Sequence, residues 1–291
     1  MSDHSAIEWT DATWNPVTGC TKVSPACAHC YIERTPAFRI NGRRFVKGAT
    51  DVRLHDDRLD QPLKWRKPRR VFVNSLSDLF HNEVSDQFIS LVFAAMALSP
   101  QHTFQVLTKR PQRMCAYLQE MTSDPDAYCF AWAREYFDTE RTLREIWPLP
   151  NVWLGVSVEN QHFADERIPL LLQTPAAVRF ISAEPLLGPL DLRNLRGGTF
   201  DAITGCVDRE RLNVWDKTAR LDWVICGGES GPKVRPTDPE WVRVIREECS
   251  AAGVPFFFKQ WGGRTSKTGG RLLDGRTWDE FPGGKYGRDE A

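Results

Sequence analysis

Residues 71–108 read VFVNSLSDLFHNEVSDQFISLVFAAMALSPQHTFQVLT, and this stretch decides the fold. Val71 to Asn74 and Phe104 to Thr108 are short apolar runs rich in β-branched and aromatic residues. Bounded by polar residues, such runs are strand signals. Between them Phe88, Leu91, Val92, Ala95 and Met96 recur at helical spacing, with Ser85 placed as the N-cap. That apolar face must lie against the sheet. Strand, helix and strand in so short a span make a βα unit, and strands joined by a helical crossover run parallel.

The same alternation continues along the chain. Val152 to Val158, Val178 to Ser182, Trp223 to Cys226 and Pro255 to Lys259 are further apolar runs, and Ala6 to Trp9 is the expected first strand. The expected fold is therefore α/β, a full or partial (βα) barrel with about six to seven parallel strands. The last helix has the clearest ends: Asp238 caps it, Pro239 takes its first position, Val242, Ile245 and Cys249 form its stripe, and Gly253 stops it. Pro111 opens a helix after Lys109 and Arg110 in the same way. The barrel is expected over residues 1–264, with insertions near 113–150 and 191–221, where long connections act as lids or binding loops. Residues 265–291 are expected to add a small ribbon and tail, since Asp274-Gly275 is a tight hairpin signal.

With 291 residues the chain can bury one sizeable core. Its 38 basic and 38 acidic residues balance, so no global field draws it to nucleic acid or to an anionic membrane. The longest apolar run, Leu91 to Leu98, is too short to span a bilayer, so no membrane partner is expected. The start, MSDHSAIEW, has neither the basic residues nor the apolar stretch of a secretory leader, and a reducing cytoplasm is the expected location. Nucleic acid would have to be met locally, through Arg43-Arg44 and the Lys64 to Arg70 segment KWRKPRR, where basic groups flank a Trp. The alternative for those residues is a solvated loop entering a strand.

Asn15 to Arg34, NPVTGCTKVSPACAHCYIER, carries Cys20, Cys27 and Cys30 in the spacing C-x6-C-x2-C. The closing C-x2-C lets two thiolates reach one metal centre from a single turn. Three sulfurs leave an iron–sulfur cluster one ligand short, open to substrate or cofactor. His29 would instead complete a zinc site with four ligands, and a third reading treats the thiols as small buried hydrophobes.

In a parallel α/β sheet, ligands bind beyond the carboxyl ends of the strands. Here those ends carry Asn74, Ser75, Ser77 and Asp78; Thr108, Lys109 and Arg110; Ser157 and Glu159; Ser182 and Glu184; Gly227 to Ser230; and Lys259 with Gln260. Ser, Asn and Asp at strand ends are frequently caps or turn formers. Glu159, Glu184, Glu229 and Lys259 ask for more, because a charge beside an apolar strand is costly unless paired. Carboxylates ringed with a few cations can pair among themselves and hold a polar ligand.

The segment TGCTKVSPACAHCY, together with KWRKPRRVFVNSLSDLFH, LTKRP, GVSVEN, ISAEPLLGPL, VICGGESG and FFKQWG, resembles an uncharacterised phage-associated three-cysteine family, distant relatives of radical S-adenosylmethionine (SAM) enzymes. The similarity runs over nearly the whole chain. It implies a barrel of radical SAM type, a 4Fe-4S cluster on Cys20, Cys27 and Cys30, SAM at the unique iron, an external electron donor and an unknown substrate. By the same resemblance Asn74, Ser75, Ser77 and Asp78 lie where SAM's amino group is bound, and Lys109 or Arg110 lies where its carboxylate is neutralised. Ser157, Glu159 and Glu184 would bind the rest of the cofactor, and Glu229 and Lys259 would face the chemistry. The commonest radical SAM spacing is C-x3-C-x2-C with an aromatic before the last Cys; here the first gap is longer, and Tyr31 follows Cys30. Gly227-Gly228-Glu229 resembles the family's Gly-Gly-Glu motif but comes late in the chain, where it would let a ligand approach the backbone. A distant likeness to spore photoproduct lyase makes nucleic-acid repair or modification the alternative, and a non-catalytic zinc or cluster protein the third.

Overall fold

The computed structural model describes residues 5–34, 51–130, 146–207, 219–265 and 267–283. In chain order its elements are β1 (Ala12–Trp14), β2 (Val17–Thr18), β3 (Arg53–Leu54), α1 (Gln61–Lys64), β4 (Arg70–Val73), α2 (Asp86–Ala97), β5 (Thr103–Thr108), α3 (Pro111–Ser123), β6 (Val152–Ser157), α4 (Gln161–Gln173), β7 (Val178–Ala183), β8 (Phe200–Asp201), β9 (Cys206–Val207), β10 (Trp223–Gly227), α5 (Pro239–Ala252) and β11 (Phe256–Gln260). Seven strands form one sheet in the order β1-β4-β5-β6-β7-β10-β11. Ala12 registers with Val71, Val71 with Phe104, Val224 with Ile181 and Val224 with Phe256, all in parallel. The fold is α/β, and its parallel sheet has two ends, so of the full and partial barrel the partial one is found.

Two compact units divide the chain. The first holds Met1–Val23, Cys30–Leu154 and Thr174–Ala177; the second holds Ser24–His29, Gly155–Gln173 and Val178–Ala291.

In the first unit the opening strand lies further along than Ala6 to Trp9. Those residues form turns instead: Ser5 N donates to Asp11 O, Thr10 N to Ile7 O, and Ser5 Oγ accepts from Ile7 N. These local bonds hold the segment in turns, and Trp9 packs its ring 4.6 Å from Phe72. Helix α2 is capped by Ser85, whose Oγ accepts from Phe88 N. It is buried on every side, not along one stripe, from Phe88 to Ala97. Its polar Ser90 is accommodated by a 2.7 Å hydrogen bond with the Tyr117 hydroxyl of α3.

The second unit packs around Trp223, whose ring lies 5.6 Å from Phe180, 6.2 Å from Phe257 and 5.1 Å from Phe281. Helix α5 runs from Asp238 to Gly253 as its caps demand, with Asp238 accepting from Glu240 N and Gly253 left-handed at φ 66°. It buries only Val242, Ile245 and Cys249, the amphipathic stripe. Burying an aliphatic side chain there contributes about 1.5–3 kcal/mol each. Asp274 (φ 51°) and Gly275 (φ 83°) make the expected tight turn, bridged by Leu273 and Arg276. The chain beyond it lies antiparallel along β11, where Phe258 N donates to Trp278 O, and so covers a strand edge that would otherwise stand open.

Of the expected insertions, residues 131–145 and 208–218 lie outside the described residues; the described parts contain a π turn at Asp126–Phe130 and the β8–β9 hairpin. Among the described residues no helix is long and apolar enough to cross a membrane.

Candidate functional site

In the first unit the site begins with two asparagines at the ends of neighbouring strands. Asn74 takes a left-handed φ of 59°, which Asn tolerates better than most residues, and its N–H donates to Trp14 O. Its Oδ1 accepts from Val17 N at 3.0 Å. Asn15 Oδ1 in turn accepts from Leu76 N at 2.8 Å and Ser75 Oγ at 3.2 Å. The loop after β4 is thereby fixed against the segment leading to the cysteines. Gly19 completes the junction: its φ is 94°, and a Cβ there would lie 2.0 Å from Asp51 O. Only glycine can deliver Cys20 along this path.

Asp78 is the anchor of this end. Its Oδ1 accepts from Phe80 N (3.0 Å) and Thr108 Oγ1 (2.7 Å), and its Oδ2 from Lys109 N (3.0 Å) and Arg110 Nη1 (2.9 Å). Held so, Arg110 reaches Cys20 Sγ at 3.8 Å, and its Nη2 donates to Thr21 O and Thr21 Oγ1. Burial opposes the guanidinium charge, but Asp78 and the Cys20 sulfur outweigh it and hold the Arg110 pKa above its ordinary value. His81 lies in the same network. Its Nδ1 accepts from Glu83 N, so Nε2 carries the proton and donates to Thr21 Oγ1 at 2.9 Å. Burial first, and Arg110 second, lower the His81 pKa and keep the ring neutral. Tyr31, next to Cys30, donates its hydroxyl to Ser75 O.

The second unit holds Cys27 and His29 around a second carboxylate. Glu229, 5% exposed, accepts from Arg235 through its backbone N, its Nε and its Nη2, and from His29 Nδ1 at 3.1 Å. Burial works against ionisation, but the hydrogen bonds of Arg235 and His29 prevail and hold the Glu229 pKa at about 2. The carboxylate is therefore acceptor only, which places a proton on His29 Nδ1. Arg235 Nη2 also donates to Pro25 O, tying down the turn that carries Cys27.

Glu159 is fully buried, with Oε2 paired to Arg167 at 3.0 Å; Arg167 also binds Ser157 O. Lys259 Nζ pairs with Glu184 Oε1 at 2.7 Å. At Gly228 the chain makes a close approach to itself: a Cβ there would lie 2.1 Å from Trp261 O, where the loops after β10 and β11 run together.

Cys20, Cys27 and Cys30 are free thiols and half-buried. Cys115, Cys226 and Cys249 are fully enclosed, and burial pushes their thiols up, away from the thiolate. Cys115, Cys226 and Cys249 thus belong to the packed interior, whereas the three motif cysteines are partly open to solvent. Among the described residues no three His, Cys, Asp or Glu side chains stand close enough together to hold a metal ion. Several expected binding residues carry a buried polar atom without a hydrogen-bond partner: Asn74 Nδ2, Ser77 Oγ and Glu159 Oε1. Such atoms are uncommon in a folded protein and call for a partner.

Arg110 enters the site as a partner of Asp78 and Cys20, a contact no spacing announces. Arg235, Asn15 and Arg167 were not singled out by sequence; KVRP, six residues past Glu229, held the one cue, an Arg flanked by a strand-end loop and a Pro. In the basic segment, Trp65 is buried with its ring 5.7 Å from His102 and Arg69 stacked 5.0 Å above it. Lys64 pairs with Asp60, and Arg70 with Asp11. Trp65 thus has no face open for a base; Arg43-Arg44 lies outside the described residues.

Searches of curated proteins and of solved structures each returned no match. A protein-family model matches residues 4–282, and the chain accordingly belongs to the family described as protein of unknown function, DUF5131.

Proposed function

We propose that the protein is an iron–sulfur enzyme of radical SAM type, with Cys20, Cys27 and Cys30 as ligands of a 4Fe-4S cluster. The observation that carries this reading is the cysteine segment itself: three free, half-buried thiols, with Thr21 bound by Arg110 and Pro25 by Arg235, each arginine anchored on a buried carboxylate. Packing alone does not require that investment of buried charge. Bound there and reduced by an external one-electron donor, such a cluster would supply the electron that cleaves SAM and so starts radical chemistry on a substrate.

The chain's own residues bind and orient. Asn74 Nδ2 and Ser77 Oγ donate to the cofactor at the end of β4, while Asn15 and Tyr31 hold the Ser75 loop in place. In the second unit Glu159 Oε1 is the unspent acceptor, its Oε2 being paired with Arg167. Glu184 and Lys259 form a pair that can give or take a proton beside β10.

The test is anaerobic reconstitution with iron and sulfide. A brown protein that converts SAM to 5′-deoxyadenosine under a low-potential reductant is expected. A stable cluster without cleavage under any reductant overturns the enzyme assignment, and Cys27→Ala with its fold intact is expected to lose both cluster and turnover.

One observation favours a second reading. His29 donates Nδ1–H to Glu229, the kind of carboxylate partner that orients metal-ligating histidines, and in a zinc protein its Nε2 would be the fourth ligand beside the three cysteine sulfurs. One equivalent of zinc, lost in His29→Ala and not displaced by iron and sulfide, would establish this reading in place of the first.

A further inference from the structure

We propose that Lys259 is an amine nucleophile that captures a small aldehyde or ketone as an imine, with Glu184 as its proton-transfer partner. The site lies wholly within the second unit and uses neither the cysteines nor a metal, so it stands whether or not the cluster reading does.

Three neighbouring strands build it. In the order β7-β10-β11, Glu184 follows the end of β7, Gly227 ends β10 and Lys259 lies near the end of β11. Cys226 registers with Phe258 and Gly227 with Gln260, so Lys259 is the extra residue of a bulge, a device that re-aims a side chain. Arg271 Nε holds the bulged backbone by donating to Lys259 O at 3.0 Å. The lysine reaches over β10 to Glu184 Oε1 at 2.7 Å. Gly227 leaves it the room: a Cβ there would lie 3.3 Å from Lys259 Cβ and 3.6 Å from Glu184 Cγ.

The pair differs from the other buried carboxylates of this unit. Glu159 and Glu229 are each held by an arginine, which keeps its charge and binds through a rigid fork. Lysine is the cation that can give up its proton and become a nucleophile. Among the described residues Lys259 Nζ donates to Glu184 alone, so the other protons of the ammonium are unspent. With side chains 14% and 18% exposed, the two groups are sheltered yet reachable, at the strand ends where a parallel sheet binds ligands. In the proposed step Glu184 takes a proton from the ammonium, and the nitrogen lone pair bonds to the carbonyl carbon as the C=O π bond opens. A nitrogen proton moves to that oxygen, Glu184 returns its own proton to the resulting hydroxyl, and water leaves. The product is a protonated imine facing the regenerated carboxylate, with no oxidant or reductant consumed.

The test uses the full chain, acetaldehyde as the probe and cyanoborohydride to reduce an imine to a stable secondary amine, with peptide mass mapping to follow the adduct at each lysine. Lys259 is expected to be labelled faster than Lys67, Lys233 and Lys267, although those three are exposed and Lys259 is largely covered. Glu184→Gln, which cannot take the proton, is expected to slow labelling of Lys259 about a hundredfold and to leave the exposed lysines unchanged. A purely structural ion pair gives the opposite sign, because releasing the lysine speeds its labelling; that result overturns the proposal. Labelling of the unaltered chain that simply follows exposure overturns it as well. Should Glu184→Gln fail to fold by circular dichroism, Glu184→Asp, which keeps a carboxylate but withdraws it by one methylene, decides by the same sign: slower labelling supports the proposal and faster labelling overturns it.

Discussion

The two ends of the cysteine segment are held by the same pair of residue types to different effect. At one end Asp78 accepts four hydrogen bonds, two of them from the backbone at Phe80 and Lys109, and its arginine reaches a sulfur. At the other Glu229 is served almost wholly by Arg235, with His29 sharing the carboxylate, and the arginine reaches a backbone carbonyl. Arg110 is 11% exposed and Arg235 32%. The first is a fixed part of the strand ends that sets the surroundings of one thiol. The second is a tether whose strength follows the charge on one glutamate.

The largest expected difference is in stability. Asp78→Ala removes the acceptor for four donors and leaves the Arg110 charge buried without its partner, a loss of about 3–5 kcal/mol. Chemical denaturation of the full chain measures it, and a loss below about 1 kcal/mol would mean that Arg110 is not held as described. Each end also has a glycine directly before its key residue, Gly19 before Cys20 and Gly228 before Glu229. Gly19→Ala meets both a left-handed backbone and the Asp51 carbonyl, and is expected to cost about 3 kcal/mol. Gly228→Ala meets the Trp261 carbonyl and, at 3.2 Å, Thr237 Oγ1, but no left-handed backbone, and should cost about 2 kcal/mol. Reversal of that order would show that the cysteine segment is the looser of the two ends.

The strands, the capped helices and the polar residues at the strand ends were legible because each follows from short-range pattern. Asp238, Pro239 and Gly253 mark α5 through local sterics alone. The first strand was misplaced because apolar content does not reveal the local hydrogen bonds of Ser5, Ile7 and Thr10 that fold residues 5–10 into turns. Helix α2 misled differently: its periodic face is real, but a second neighbour, Tyr117, takes in Ser90, and no sequence window contains that partner. The site shows the same limit. Glu229 could be named as a charge in need of pairing, and Asp78 and Arg110 as strand-end polar residues, yet the pairing of Arg110 with Asp78 and of Arg235 with Glu229 follows only from the fold, and Arg110's surroundings depend on Thr21 and His81 from other loops.

The tether predicts a pH response. Glu229 has its pKa held at about 2, below the ordinary carboxylate value of 4.5, so the unfolded chain binds its proton first as pH falls. Its contribution is complete above about pH 4.5 and disappears toward pH 2. Because Arg235 is partly solvated, the span is about 2 kcal/mol and not the full value of the shift. Glu229→Gln should flatten that acid limb and lower stability at pH 7 by a similar amount. An acid limb of unchanged slope would show that the carboxylate does not bind the cysteine turn through Arg235.

Glu248 on α5 is the internal contrast to Glu229 and carries the smallest effect. It too is partly buried, and its Oε2 accepts from Leu192 N, but burial dominates and Asp191 and Asp201 add repulsion, so its pKa is pushed up to about 7. The sign is therefore reversed. Between about pH 4.5 and 7 the folded chain holds a proton that the unfolded chain has already lost, and stability falls as pH rises through that window. Glu248→Gln, which cannot ionise, should leave stability at pH 5 unchanged and raise it at pH 8 by about 1 kcal/mol, the shift being discounted for partial exposure. Thermal melts of both glutamine variants across pH separate the two carboxylates: the Glu229 variant changes only the rising acid limb, and the Glu248 variant only the falling limb near neutrality. If both variants changed the same limb, burial and not the arginine would govern the two sites alike, and the tether would lose its physical basis.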